Sequence, residues 1–480
     1  MGVATEQAPP VPAPTNRWLV LAVILAAECM DLLDGTIVNV ASPSIRAELG
    51  ASLTSLQWIV GGYALTFAVG LVVGGRLGDL YGRRRLFLVG IAGFTLSSVL
   101  CGVAGSAGML IAFRLLQGGF AAIMIPQGFG IVRASFPKDE IAKAFGMFGP
   151  VIGGAAVLGP IAGGALVDGD LLGTGWRAVF LVNAPVGILA FVAALRLLPE
   201  SRLPDAPRLD VGGAILVTVA CALLVLPLIQ GREAGWPAWT FASMAASVVT
   251  FAAFAWHEAR RERAQRAPLV ETSLLRTRAY SVGVLVALVF FAGMIGLMLT
   301  MSLYLQLGEG FSAIHTGLTF TPWALGTAVG AGLGAGVLGP KLGRPVLHGG
   351  LLVMMAGVLG TLAVVGSAGD TVSSWALAGP QAVAGVGMGA VLAPLFGFVL
   401  AGVRDHEVGS ASGVLNAVQQ LSGALGIAVI GTIFFSVATD HGVTVAFERA
   451  LWIELGLLVV AGVLVVALPR HMRPEEELFA

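Results

Sequence analysis

Charge is scarce in this chain. Only 11% of its 480 residues are Asp, Glu, Lys or Arg, against about 25% in a soluble domain, too few to cover a water-facing surface. Cysteine is nearly absent. Cys29, Cys101 and Cys221 all lie inside apolar runs, which argues against a disulfide framework or a metal site and leaves them as small packing residues. The six histidines are scattered, with no HExxH pattern and no phosphate-binding loop. A membrane enzyme would need a polar cluster that is missing here. Formal net charge is zero, so no nucleic-acid partner is implied, and nothing calls for a metal or a cofactor. The first sixteen residues are rich in Pro and Ala and have no basic segment ahead of a short apolar one. No cleavable signal peptide is expected there.

What is abundant is apolar sequence. Hydrophobic residues make up 57% of the chain, and there are 67 glycines, as suits helices packed closely in lipid. Apolar runs alternate with short polar breaks. They predict membrane-spanning helices near 18–40, 55–75, 86–105, 108–131, 143–167, 177–197, 211–230, 238–256, 280–306, 313–337, 346–366, 372–399, 409–436 and 450–468. With the N-terminus placed in the cytoplasm, 22 of the 27 Lys and Arg fall on the cytoplasmic side, four fall outside, and Arg114 lies within a span. This split supports both the span count and the orientation, with both termini cytoplasmic.

The halves echo one another. Gly75-Arg76-Leu77-Gly78-Asp79-Leu80-Tyr81-Gly82-Arg83 has the spacing GxLGxxxGR, and Gly336 to Arg344 repeats it. Gly119, Ala122 and Pro126 are matched by Gly387, Ala390 and Pro394. Duplicated halves are typical of transporters. The expected organisation is an all-α integral membrane protein: a disordered tail (1–17), a six-helix bundle (18–198), and a linker (199–278) with two extra transmembrane helices and a basic cytoplasmic segment. A second six-helix bundle (279–468) and a cytoplasmic tail (469–480) follow.

The first span, Trp18 to Pro43, carries Glu28, Asp31 and Asp34. A charge at the centre of such a helix costs about 2.5–3.5 kcal/mol on insertion scales. Stepping by three residues, these acids fan over roughly 120° and can line one cavity at three depths. Arg114 stays charged and needs a partner. It sits roughly 9 Å below the outer end of the fourth span, and Asp34 lies roughly 24 Å up the first. Both positions are in the outer half, so the two are expected to pair. Asn39 and Gln117 are nearby polar candidates, and Tyr63 is a candidate cavity aromatic.

Several motifs are specific. Gly75–Leu88 (GRLGDLYGRRRLFL) resembles the loop signature between the second and third spans of the major facilitator superfamily. Leu110–Ala122 resembles its fourth-span RxxQG signature, and Gly146–Gly164 its fifth-span antiporter signature. Leu33–Pro43 is similar to the first-span signature of the fourteen-span drug:proton antiporter branch, and Trp176–Gly187 and Gly409–Gly426 fit that branch too. The resemblance implies two six-helix bundles plus two inserted helices. It also implies an exporter, rather than an enzyme, that uses the proton gradient to expel a hydrophobic drug or antibiotic from a bacterial cytoplasmic membrane, as a monomer. Export of a self-made metabolite and uptake by symport are the alternatives.

Under the resemblance, Asp34, matched by the branch signature, and Arg114, within the fourth-span signature, are expected to couple protons, with Asp31 and Glu28 joining them on the strength of their burial in the same helix. Gly75, Asp79, Gly82, Arg83, Arg84 and Arg85 form a conformational gate through bonds across a bundle interface. Gly146, Ala155, Gly159, Pro160, Gly163 and Gly164 form the antiporter face. Tyr63, Gln117 and Asn39 stand at a substrate cavity. Ala155 replaces the usual glycine, Ser42 the usual bulky residue, and Pro340 stands where Asp79 stands in the first half. The latch is therefore expected to be stronger in the N-terminal half.

Overall fold

The computed structural model describes residues 16–137, 140–141, 143–144, 147–170, 173–200, 209–367, 371–400, 403–404 and 407–470. Gly146 of the expected antiporter face, most of both expected tails, and Lys138, Arg202, Arg208 and Arg473 lie outside the described residues.

Every regular element among the described residues is helical. In lipid a chain must satisfy its own backbone groups, and a helix does so within one segment. The first part of the chain forms α1 (Arg17–Leu49), α2 (Leu53–Tyr81), α3 (Arg83–Gly102), α4 (Ala107–Ser135), α5 (Phe148–Asp168) and α6 (Asn183–Leu197). Short turns at Gly175–Arg177 and Ala178–Leu181 lead into α6. Two helices follow, α7 (Val211–Gln230) and α8 (Ala238–Arg263). The last part forms α9 (Arg278–Leu303), α10 (Thr321–Leu333), α11 (Pro345–Ser367), α12 (Ser374–Leu400), α13 (Val408–His441) and α14 (Val443–Val465). A short helix, Ala313–Thr319, precedes α10.

Ten helical stretches among the described residues are long and apolar enough to cross a membrane. α1 and α14 stand apart from these in carrying several charges along their length, Glu28, Asp31 and Asp34 in one and Glu448, Arg449 and Glu454 in the other.

Local chemistry sets the helix ends. Ser52 caps α2 by accepting from the Ser55 N–H at 3.1 Å, Ser106 caps α4 through Met109 at 3.3 Å, and Asp210 caps α7 through Gly213 at 3.0 Å. These oxygens satisfy donors that a helix start leaves open. The repeated motif folds the same way twice. Gly82, at φ 102°, turns α2 into α3, and Gly343, at φ 66°, makes the corresponding turn before α11. Both angles lie where only glycine is comfortable.

The duplication extends to packing. In the first half α2 meets α4 so closely that a Cβ on Gly74 would lie 2.2 Å from the Ala122 carbonyl oxygen. In the second half α10 meets α12 in the same manner, and a Cβ on Gly330 would lie 2.0 Å from the Val386 oxygen. Small residues at such seams let dispersion contacts and backbone dipoles hold helices that lipid would otherwise solvate equally well.

The inserted pair is peripheral. α7 lies along the seam between α2 and α13, where Val225 and Ile229 pack with Leu65, Ala424 and Ala428. Thr432 donates to the Leu228 carbonyl at 3.1 Å. α8 is tied to α7 by Ser243 and Ser247, which donate to the carbonyls of Leu223 and Ala220. Little of α8 is buried, whereas most of α13 is, so α8 faces outward.

Candidate functional site

α1 passes its acids through the middle of the first half. Asp34 is fully buried, Asp31 is 6% exposed, and Glu28 is half-buried. α4 brings Arg114, 1% exposed, to the same level. Its Nη1 donates to Asp34 Oδ2 at 2.5 Å and to Gln117 Oε1 at 2.6 Å. Its Nε donates to the Ile59 carbonyl of α2 at 3.1 Å. The guanidinium lies 4.2 Å from the Tyr63 ring centroid and 5.7 Å from that of Phe180. A desolvated cation over such a ring gains about 2 kcal/mol.

The other Asp34 oxygen is held as fully. Oδ1 accepts from Gln117 Nε2 at 2.9 Å and from Asn183 Nδ2 of α6 at 2.8 Å. Both amides also donate to Ser98 Oγ on α3, at 3.2 and 2.9 Å, and Ser98 donates onward to the Phe180 carbonyl. Tyr63 hydroxyl donates to Asp31 Oδ1, one helical turn away from Asp34. Five helices therefore converge on one buried, hydrogen-bonded charge pair. Such a pair is expensive to break because either partner alone leaves an uncompensated charge.

The pairing expected from helix depth is present in the structure. Gln117 and Tyr63, read from sequence as cavity residues, are buried and occupied by bonds to this network. Asn39 lies farther along α1 at the boundary between halves. Its Nδ2 is 3.4 Å from the Gly35 carbonyl and its Oδ1 is buried without a partner. Sequence reasoning missed Asn183, Ser98 and the Ile59 carbonyl. Asn183 left a signal: it is the one amide in the run from Ala178 to Leu189.

The glycine face of α5 packs on two neighbours. A Cβ on Gly159 would lie 2.0 Å from Thr36 Oγ1, and one on Gly163 would lie 3.1 Å from Ile37, both on α1. Gly164 faces the other half, where a Cβ would meet Ile314 Cα at 2.4 Å. Gly317 faces back, and a Cβ there would meet the Pro160 carbonyl oxygen at 2.1 Å. Ala155 is 2% exposed. Asp168 closes this contact by accepting from the Ala313 and Ile314 N–H groups at 3.3 and 2.8 Å. A cleft next to this seam is lined by Pro160, Met298, Phe320, Trp323, Thr327 and Met388.

The bonds between halves gather at this end. Ser302 donates to the Asn39 carbonyl at 3.1 Å and Gln306 to that of Val40 at 3.0 Å. Gln57 donates to Ile427 and Ala428 carbonyls at 3.0 and 3.3 Å. At the opposite, arginine-rich end the expected gate residues bond within their own half. Arg83 donates to Asp79 at 3.0 Å and to the Gly130 carbonyl at 3.0 Å. Arg84 donates to the Leu195 carbonyl at 2.6 Å, and Arg85 is exposed. A Cβ on Gly75 would lie 4.0 Å from Pro126. In this arrangement, with the halves bonded together at the other end, these bonds do not cross the bundle interface: Asp79 meets its arginine across one turn, because Gly82 reverses the chain and brings Arg83 back over it. The linker contact Arg76 to the Pro268 carbonyl, 3.4 Å, joins the parts at this end.

One further cluster was not foreseen. Asp210, His257 and Glu258 bring a carboxylate, an imidazole and a second carboxylate within 4.8 Å of one another. Arg261 lies 3.1 Å from the same Asp210 carboxylate, supplying positive charge there. Burial alone would raise the Asp210 carboxyl. The Gly213 N–H, His257, Glu258 and Arg261 outweigh it and hold the group below its ordinary value.

The sequence profile of the Major Facilitator Superfamily matches residues 24–427. The chain belongs to this superfamily. Among its relatives, a probable actinorhodin transporter of Streptomyces coelicolor is 54% identical over 88% of this chain and 73% of its own length. The puromycin resistance protein of Streptomyces alboniger is 36% identical over 94% of this chain and 92% of its own. The tetracenomycin C resistance and export protein of Streptomyces glaucescens is 34% identical over 88% and 77%. An auto-inhibited peptide transporter of the POT family aligns over 96% of this chain and all of its own, with a TM-score of 0.69 at 13% identity. That likeness shows the major facilitator fold alone. The protein is a multi-pass membrane transporter rather than an enzyme.

Proposed function

We propose that the protein exports an antibiotic or drug across the bacterial cytoplasmic membrane in exchange for protons. The Asp34–Arg114 centre carries this reading. An exporter driven by protons needs a carboxylate whose partners can change with orientation, and Asp34 is held by three donors from two other helices. Loading a proton on Asp34 from the outside would release the arginine, and giving that proton up to the cytoplasm would restore the carboxylate and the pair. Asp31, linked to Tyr63, and Glu28, nearer the arginine-rich end, form the path toward it. The energy source is the proton gradient, with no cofactor.

The same reading takes α1 to α14 as fourteen spans with both termini in the cytoplasm, so the arginine-rich end is cytoplasmic. Interhalf bonds at the opposite end then describe a transporter closed to the outside. Asp79 and Arg83 to Arg85 would gate the cytoplasmic side, and the cleft by Trp323 and Met388 would take part in binding a hydrophobic substrate. Relatives named for actinorhodin, puromycin and tetracenomycin C favour export of a single self-made metabolite as a variant of this function.

Inside-out vesicles containing the protein as a monomer should accumulate at least one of actinorhodin, puromycin and tetracenomycin C when an inward-acid gradient is imposed, and lose it when the gradient is collapsed. Gradient-driven loss of the compound from the vesicle lumen would instead indicate uptake into the cell, and the export reading would be wrong.

A further inference from the structure

In each half the first helix packs against the sixth, α1 against α6 and α9 against α14. In the first half that seam holds an acid on the first helix, Asp34, and an amide on the sixth, Asn183, 2.8 Å apart. In the second half the acid is on the sixth helix. Glu454 of α14 faces Gly293 of α9, where a Cβ would lie 2.3 Å from Glu454 Oε2. Gly293 leaves the space that this carboxyl fills. The two halves thus carry an acid at corresponding seams with the helices exchanged.

Glu454 is fully buried, and neither of its oxygens has a hydrogen-bond partner. It lies eleven residues into α14, about 16 Å from the start of that helix. The titratable and charged side chains on the helices packed against it are elsewhere. Arg278 and Tyr280 sit at the far end of α9, and Tyr280 donates to the Ala411 carbonyl. Tyr304, beyond α9, donates to Glu309. His348 is near the start of α11, Asp440 and His441 end α13, and Glu448 and Arg449 lie nearer the start of α14. A carboxylate with neither counter-charge nor donor is costly in an apolar interior, and a proton is the ligand small enough to relieve it there.

We propose that Glu454 is a second proton-binding site, which takes a proton from water in one orientation of the transporter and returns it in the other. The O–H bond forms and breaks with no other group exchanged. The inference rests on the proton-coupled reading above, and two experiments separate them.

The first needs no drug. Infrared spectra of the purified full-length protein in lipid nanodiscs, recorded as pH is raised, report protonated carboxyls by their C=O stretch. Wild type should show a band that Glu454→Gln lacks and Asp34→Asn keeps, and the band should fade reversibly with alkali. Identical spectra for wild type and Glu454→Gln would overturn the proposal, as would a Glu454 band that never titrates. If Glu454→Gln does not fold, Glu454→Asp retains the acid and should move the band.

The second is thermodynamic. In proteoliposomes with the membrane potential collapsed, the limiting actinorhodin gradient should change by about tenfold less per pH unit in Glu454→Gln than in wild type, because one fewer proton is coupled. The drug's own ionisation enters both slopes equally. Equal slopes would overturn the proposal. A wild type that shows the titrating band but no coupling to the pH gradient would defeat the antiport reading instead, leaving Glu454 as a proton site.

Discussion

Replacing Asp34 with Asn removes one charge from the central network while keeping its shape. In the native protein Asp34 accepts from Arg114, Gln117 and Asn183, and all four side chains are buried. Removing one member of a buried ion pair costs about 3–5 kcal/mol, because the other charge is stranded. Arg114 retains the Ile59 carbonyl and the Tyr63 ring, and a desolvated cation–π contact is worth about 2 kcal/mol. The expected loss for Asp34→Asn is therefore at the low end, about 3 kcal/mol. Removing the stranded charge as well should recover part of it. The double variant Asp34→Asn, Arg114→Gln should be more stable than the sum of the single losses predicts, by about 1–3 kcal/mol. Unfolding equilibria in mixed micelles for wild type, both singles and the double variant complete the cycle. Additive losses, or a single variant as stable as wild type, would refute the view that the two side chains work as one buried pair.

Three further outcomes follow from the geometry. Gly317→Ala pushes a methyl group against the Pro160 carbonyl oxygen, where backbone on both sides limits relief; overpacking of about 1–3 kcal/mol should open that end, and a cysteine placed at Asn39 should react faster with a membrane-impermeant maleimide. Tyr63→Phe keeps the ring under Arg114 but loses the bond to Asp31, so it should cost about 1.5–3 kcal/mol, with Tyr63→Ala costing more; equal losses would show that the ring contributes nothing. Asp210→Asn keeps a helix cap but loses the charge facing His257 and Arg261, for about 1.5 kcal/mol. Because the folded Asp210 carboxyl lies below its unfolded value of about 3.9, this stability is complete above that value and is lost as pH falls through the folded one. The gap between wild-type and variant melting temperatures should close on acidification.

Much of the central site was legible because lipid makes charge expensive. Asp34 and Arg114 stand out in apolar runs, and the fixed rise of a helix turns sequence position into depth, so their meeting could be worked out. Asn183 and Ser98 were harder. Neutral polar residues are common in spans, and only the convergence of α3, α4 and α6 shows that both close on Asp34. The bonds of Asp79 and Arg83 depend on the turn at Gly82 and on which end is closed, and the spacing of the motif carries neither. Glu454 is hard to place from sequence because of a helix boundary: a span of 450–468 would put it near an outer end, whereas α14 begins at Val443 and buries it in the middle. Asp210 and Glu258 are 48 positions apart in sequence, and it is the pairing of α7 with α8 that joins them.

The most direct test of the account is drug-evoked proton movement in inside-out vesicles, followed with a pH-sensitive dye, for wild type beside Asp34→Asn at matched protein levels. Adding an exported compound to energised wild-type vesicles should release protons from the lumen, and Asp34→Asn should abolish that release while the protein remains in the membrane. Release that persists unchanged in Asp34→Asn would contradict the claim that Asp34 couples the proton to the drug.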